Sequence, residues 1–171
     1  ARPKALEERG IGRPSTYASI VDTILARNYV FKKGGALVPT WVAFSVVKLL
    51  EDHLGGLVDY QFTAQMEDEL DAISRGEQDY ESYLKNFYFG NGKPGLKKQL
   101  DHKVDEIDAR VVSRIRIGQP DGEPEIVVRV GKFGPYFEAQ RDGAAVTASI
   151  PDDVAPGDLS EELADKLIEQ K

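Results

Sequence analysis

"GIGRPSTYASI", residues 10–20, opens with two glycines, an arginine, a proline and three hydroxyl side chains in eight residues. Tyr17, Ile20, Val21, Ile24 and Leu25 then follow at i, i+3, i+4, i+7 and i+8, one face of an amphipathic helix. Pro14 suits the first turn of that helix. Gly10 and Gly12 permit a tight turn and leave backbone N–H groups uncovered. Such groups ahead of a helix favour an anion. Arg13 adds a planar, permanently charged fork that matches phosphate. Ser15 and Thr16 donate to phosphate oxygens or cap the helix, and Tyr17 stacks on a base or joins the core face. The residues alone leave two readings open: an anion-binding loop, or a capped helix with a rigid lead-in turn.

The chain outward from this loop reads as follows. Asn28 is a left-handed stop. "YVFKKGGALVP", residues 29–39, is a strand, a turn at Gly34 and Gly35, and a second strand. A helix starts near Thr40, with Val42, Val46, Leu49, Leu50 and Leu54 inward. This order of helix, turn, helix and hairpin is that of a winged-helix unit, whose second helix and wing approach DNA. Phe62, Met66, Leu70 and Ile73 mark another helix, with Glu67, Asp68, Glu69 and Asp71 on a solvated acidic face. A further helix covers residues 80–87. "FGNGKPG", residues 89–95, breaks structure. Beyond it, "ARVVSRIRIG", "EIVVRVG", "PYFEAQ" and "AAVTASI" read as four short strands of an antiparallel sheet, separated by "QPDGEP", "GKFG" and "RDG". Ser160 caps a terminal helix. The expected fold is α+β: a mostly helical, winged-helix-like domain over residues 1–98, then a small four-stranded antiparallel sheet domain over 99–171.

The 171 residues are 41% hydrophobic, enough for a core. No run of 18 apolar residues is present, so no membrane-spanning helix is expected. There is no cysteine, which excludes disulfides and thiolate zinc sites within these residues and fits a cytoplasmic setting. The net charge of −7 disguises strong patches. Residues 1–33 carry +4, residues 51–81 carry −9, residues 82–100 hold four Lys and no acid, and residues 101–171 carry −7. Fields decay over about 8 Å at physiological salt, so patches matter more than the sum. Lys32 and Lys33 on the hairpin are therefore candidate nucleic-acid contacts. So are Arg129, Lys132, Phe133 and Tyr136 around "VRVGKFGPYFEAQ", where rings beside cations make a stacking platform. Alternation puts Tyr136 and Phe137 on opposite faces. His53 and His102 are far apart in sequence, and no metal site is expected.

"LEERGIGRPSTYASIVDTILARNYV", residues 6–30, resembles a signature segment of the bacterial type IA DNA topoisomerases, the topoisomerase I family. The similarity continues through "ALVPTWVAFSVVKLLEDHLGGLVDYQFTAQMEDELDAI", and "VRVGKFGPYFEAQ" resembles a C-terminal repeat of these enzymes. The resemblance implies that residues 1–98 help hold single-stranded DNA at the base of the topoisomerase ring. Arg13, Ser15, Thr16 and Tyr17 then match motif positions at or near the strand, and Gly10, Gly12 and Pro14 match its turn. It implies an isomerase that relaxes negatively supercoiled DNA by transient single-strand cleavage. The nucleophilic tyrosine, in an "RTDS"-like context, and the acids that hold magnesium lie upstream in the family, so no catalytic residue and no cofactor is expected in this stretch. It further implies upstream domains of the same polypeptide as partners and a nucleoid-associated location; the acidic stretch, read by itself, suits a basic protein partner such as RNA polymerase. The absence of cysteine zinc modules resembles the actinobacterial type. Two other readings are a winged-helix DNA-binding regulator and a protein-interaction module. A regulator needs base-reading residues along its second helix, and residues 15–28 offer only Arg27 and Asn28 at the far end.

Overall fold

The structure, a computed structural model, describes residues 2–117, 126–141 and 143–170. The expected turn at 119–124 and Asp142 of "RDG" lie outside the described residues. Contacts group the chain into two compact units, Ala1–Asp22 with Leu49–Ile107 and Thr23–Lys48 with Asp108–Lys171.

The first unit is helical. It contains α1 (Arg2–Glu8), the start of α2 (Pro14–Ala26), the end of α3 (Trp41–Leu54), α4 (Tyr60–Ser74), α5 (Tyr80–Phe89) and α6 (Leu96–Lys103). Aspartates start two of these helices. Asp59 accepts from the N–H groups of Gln61 and Phe62 at 2.6 and 3.0 Å, and Asp79 accepts from that of Ser82 at 2.8 Å. The hydrogen bond from Ser82 holds the Asp79 carboxyl below its usual range. Leu54 is buried, and Phe62 of α4 stacks on Phe87 of α5 with ring centres 6.3 Å apart. Helix α6 is absent from the sequence expectation. Its only apolar residues are Leu96 and Leu100, too few to register as a periodic face, and Lys97 pairs with Asp101 at 2.8 Å along it.

The second unit holds the hairpin of β1 (Val30–Lys33) and β2 (Ala36–Pro39), the start of α3, α7 (Ala109–Val112), four strands and α8 (Glu161–Glu169). Gly34 and Gly35 take φ of +54° and +78°, the left-handed pair that a two-residue hairpin turn requires. The strands β3 (Arg114–Ile117), β4 (Ile126–Gly131), β5 (Gly134–Arg141) and β6 (Ala144–Ser149) form an antiparallel sheet in sequence order. Ile115, Val128, Phe137 and Ala148 align across all four strands, and Val128 and Phe137 are fully buried. Leu163, Ala164, Leu167 and Ile168 of α8 cover this row, and the Ser160 hydroxyl caps α8 by accepting from the Leu163 N–H at 3.2 Å. The architecture is the α+β class expected.

Two features of this unit depart from local sequence signals. Residues 109–112, expected to begin a strand, form α7, because Asp108 caps the turn by accepting from the Arg110 N–H at 2.8 Å and Val112 is buried. Trp41 belongs to the sheet core: it is 2% exposed and its Nε1–H donates to the Val154 carbonyl at 2.9 Å. Burying an indole satisfies apolar and polar demands only when the N–H finds an acceptor.

Trp41→Ala removes a buried indole and leaves that carbonyl unpaired. We expect a loss of about 3–5 kcal/mol in stability, read by urea denaturation with circular dichroism. Trp41→Phe keeps most of the packing and should cost less than half as much. Equal losses would place the main contribution in the hydrogen bond.

Candidate nucleic-acid interface

The loop at 10–17 is built from both ends. Helix α1 closes when the N–H groups of Gly10 and Ile11 donate to the carbonyls of Glu7 and Leu6, both at 3.0 Å. Gly10 and Gly12 then take φ of +69° and +71°. A Cβ at Gly10 would lie 3.3 Å from Cβ of Ala64, so α4 approaches closely there. The ring of Tyr17 covers Gly12, and its hydroxyl donates to the Ile11 carbonyl at 3.2 Å. Thr16 Oγ1 accepts from the Arg13 N–H at 3.1 Å and donates to the Arg13 carbonyl at 2.9 Å, capping α2. Ser15 is exposed on the first turn.

Arg13 has an internal task. Its Nε–H and an Nη2–H donate to Asp71 Oδ2 at 3.0 and 2.9 Å, and Nη2 also reaches Asp68 Oδ1 at 3.1 Å. Nη1 donates to the carbonyls of Gly10 at 3.3 Å and Gly12 at 3.1 Å. Every N–H of the guanidinium therefore points at an oxygen of this chain. The hydrogen bond with Asp71, first among the causes, pushes the guanidinium above its ordinary pKa. A phosphate taking a guanidinium N–H would compete with one of these oxygens. The acidic face of α4, read from sequence as solvated, is in this part the counter-charge of the loop. Nothing in the spacing announces the partnership, because 58 residues separate Arg13 from Asp71.

The second unit holds the other expected residues. Lys32 is exposed on β1, and Lys33 Nζ lies 2.7 Å from Asp158 Oδ2, which holds that carboxyl below its usual range. Arg129 and Tyr136 are paired across β4 and β5 and so share the face opposite Phe137. Arg129 is partly engaged: Nε lies 2.8 Å from Glu138 Oε1, and Nη1 donates to the Arg110 carbonyl at 3.0 Å. Phe133 caps the β4–β5 turn at 97% exposure, with Lys132 Nζ 5.6 Å from its ring centre. Tyr136 is half-buried and lies against Gly131, where an added Cβ would meet its ring at 3.1 Å. Lys132, Phe133, Tyr136, Ser149, Leu167 and Gln170 line a groove of about 670 Å³. Ring, cation and hydroxyl edges thus meet in one open groove, which suits a ligand with flat faces and negative charge.

The family described as DNA topoisomerase matches residues 4–85, and the topoisomerase C-terminal repeat matches residues 119–171. The DNA topoisomerase 1 of Mycolicibacterium smegmatis is 49% identical over 181 residues, covering 96% of this chain and 19% of that protein. The chain belongs to the bacterial DNA topoisomerase I family. The Streptomyces coelicolor enzyme of that name is 48% identical over 184 residues, with the same coverage. Full-length topoisomerase I from Thermotoga maritima aligns in three dimensions with a TM-score of 0.64 at 32% identity, over 89% of this chain and 24% of that one. The chain spans about a fifth of the length of the curated relatives it matches. In this topoisomerase segment the glycine-rich loop falls within the first match and the Phe133 groove within the second.

The Arg13 clamp predicts an order of effects. Asp71→Asn should raise amide hydrogen exchange across residues 10–17 more than Asp68→Asn, because Asp71 receives two of the five donors. Arg13→Lys keeps the charge, loses the fork and should loosen the loop as much as Asp71→Asn. Unchanged exchange in all three variants would mean the glycine turn stands without the clamp.

Proposed function

We propose that this chain is the strand-gripping part of a type IA DNA topoisomerase, with residues 1–98 forming part of the ring base and residues 99–171 a C-terminal repeat. The whole enzyme cleaves one strand by transesterification onto a tyrosine, passes another strand and reseals, relaxing negative supercoils. The observation that supports the reading best is the Phe133 groove. A ring 97% exposed beside a lysine has no packing purpose within its unit, and stacking on it is tolerant of sequence. Single-stranded DNA offers the unstacked bases such a groove needs, so it is the preferred partner.

The division of labour follows from side-chain chemistry. In this reading the nucleophile is the family's upstream tyrosine, and Tyr17 serves the loop, its hydroxyl donating to the Ile11 carbonyl. The loop offers Ser15, while Arg13 holds its shape. Magnesium belongs to the acids of the enzyme's upstream domain. Among the described residues no group of three His, Asp or Glu is placed to hold a metal. No helix among them is long and apolar enough to cross a membrane. A nucleoid-associated location fits a DNA-handling role. The acidic stretch 51–81 fits a basic protein partner such as RNA polymerase, which pull-down after nuclease treatment distinguishes from tethering through DNA.

Phe133→Ala should weaken binding to a single-stranded oligonucleotide about fivefold or more, as expected for one lost stacking contact, and leave the thermal midpoint unchanged. Tyr136→Ala should act in the same direction with some loss of stability. Fluorescence anisotropy on two unrelated sequences reads both. Wild-type affinity in the folded Phe133→Ala variant would remove the groove from the binding surface. The chain alone should leave supercoiled plasmid unrelaxed with magnesium present. Relaxation that survives Tyr17→Phe would show a nucleophile elsewhere in these residues.

A further inference from the structure

Helix α5 uses only one side for packing. Tyr83 and Phe87 stack with ring centres 6.5 Å apart, and Phe87 stacks in turn on Phe62. The rest of its apolar surface is open. Tyr80, Leu84 and Tyr88 lie at i, i+4 and i+8 with exposures of 57%, 47% and 44%, and Phe89 is 62% exposed. The rings of Tyr88 and Phe89 meet edge to face at 4.9 Å, a pair that gives two differently oriented stacking surfaces.

The chain then turns in a way that brings charge to these rings. Gly90 takes φ of +97°, and a Cβ there would collide with the Lys93 carbonyl. A Cβ at Gly95 would collide with the backbone of residues 88–90. Glycine at both positions lets residues 90–95 close on themselves, so α6 begins beside the end of α5. The first turn of α6, which carries Lys97, therefore starts against the backbone of Tyr88 and Phe89. Between Ser82 and Leu100 the chain has Lys85, Lys93, Lys97 and Lys98 and no acid, in contrast to the −9 of residues 51–81. The exposed surface is aromatic and cationic together. A greasy protein partner requires neither lysines nor rings in particular, whereas a single strand requires both.

We infer that the outer face of α5, the 90–95 loop and the first turn of α6 form a second single-strand contact, in which bases stack on Tyr88 and Phe89 and phosphates meet Lys85, Lys93 and Lys97. This rests on the reading that the chain grips a single DNA strand, and it adds a site in the helical unit distinct from the Phe133 groove. Lys97 is shared with Asp101, an exposed pair that a phosphate displaces readily.

The test uses the 171-residue chain with a thymidine oligonucleotide carrying 5-iodouracil, cross-linked by light and mapped by mass spectrometry. Cross-links at Tyr88 or Phe89 are expected. Lys85→Gln with Lys93→Gln should lower the salt slope of binding by about 1.4, two lost contacts at about 0.7 each. Phe89→Ala should weaken binding about fivefold or more with an unchanged melt, since its ring is exposed. Cross-links confined to Phe133 and Tyr136, with an unchanged slope in the lysine pair, overturn the inference and leave the groove reading intact. Cross-links at α5 with wild-type affinity in Phe133→Ala sustain the inference and overturn the groove. Absence of any binding overturns both. If a protein segment covers the stripe instead, the lysine pair leaves oligonucleotide binding unaltered, which also overturns it.

Discussion

The ion pair between Arg13 and Asp71 governs the glycine-rich loop. A guanidinium cannot shed its charge, so covering it even in part requires oxygens at its N–H groups, and the Arg13 side chain is 27% exposed. The loop supplies two carbonyls and α4 supplies two carboxylates. The dependence runs both ways. Glu67, Asp68, Glu69 and Asp71 crowd negative charge onto two turns of α4, and a cation between Asp68 and Asp71 offsets part of their repulsion. The loop is therefore shaped from within, and Ser15 and the start of α2 are what it leaves exposed.

The sheet unit solves a different problem. Four short strands bury one face against α8, so that row must be apolar and closely packed. Phe137 and Val128 fill its centre, and Trp41, distant in sequence, joins them with its N–H satisfied by Val154. With the core complete, Phe133 is free to stand at the turn. Its near-total exposure takes nothing from the core, which other residues complete.

Net charge misleads for this chain. At −7 it argues against a polyanionic partner, yet the residues that matter act within a Debye length. Lys132 stands beside an exposed ring in one unit, and in the other Lys85 lies one helical turn from the exposed Tyr88 and Phe89. Acidic charge is concentrated elsewhere, and in α4 part of it is consumed internally by Arg13.

Much of this protein was legible from short windows of sequence. The helices α2 to α5, the Gly34–Gly35 hairpin, the alternation of β4 and the Ser160 cap each depend on neighbours within a turn or a strand, and each is present, although Ile20 of the expected α2 face and Leu70 of the expected α4 face are exposed. So is the opposition of Phe137 and Tyr136, because a strand has a period of two wherever it lies. Family membership was also legible, in "GRPSTYASI" and its flanks. Only the tertiary structure decided that Arg13 meets Asp71, that Trp41 belongs to the sheet, that Asp108 turns residues 109–112 into a helix, and that the start of α6 lies against the end of α5. The reason is physical: local conformation is set by bonds and contacts a few residues long, but the partner of a buried charge or an indole N–H is whichever group the folded chain brings within 3 Å, and sequence separation carries no trace of that distance.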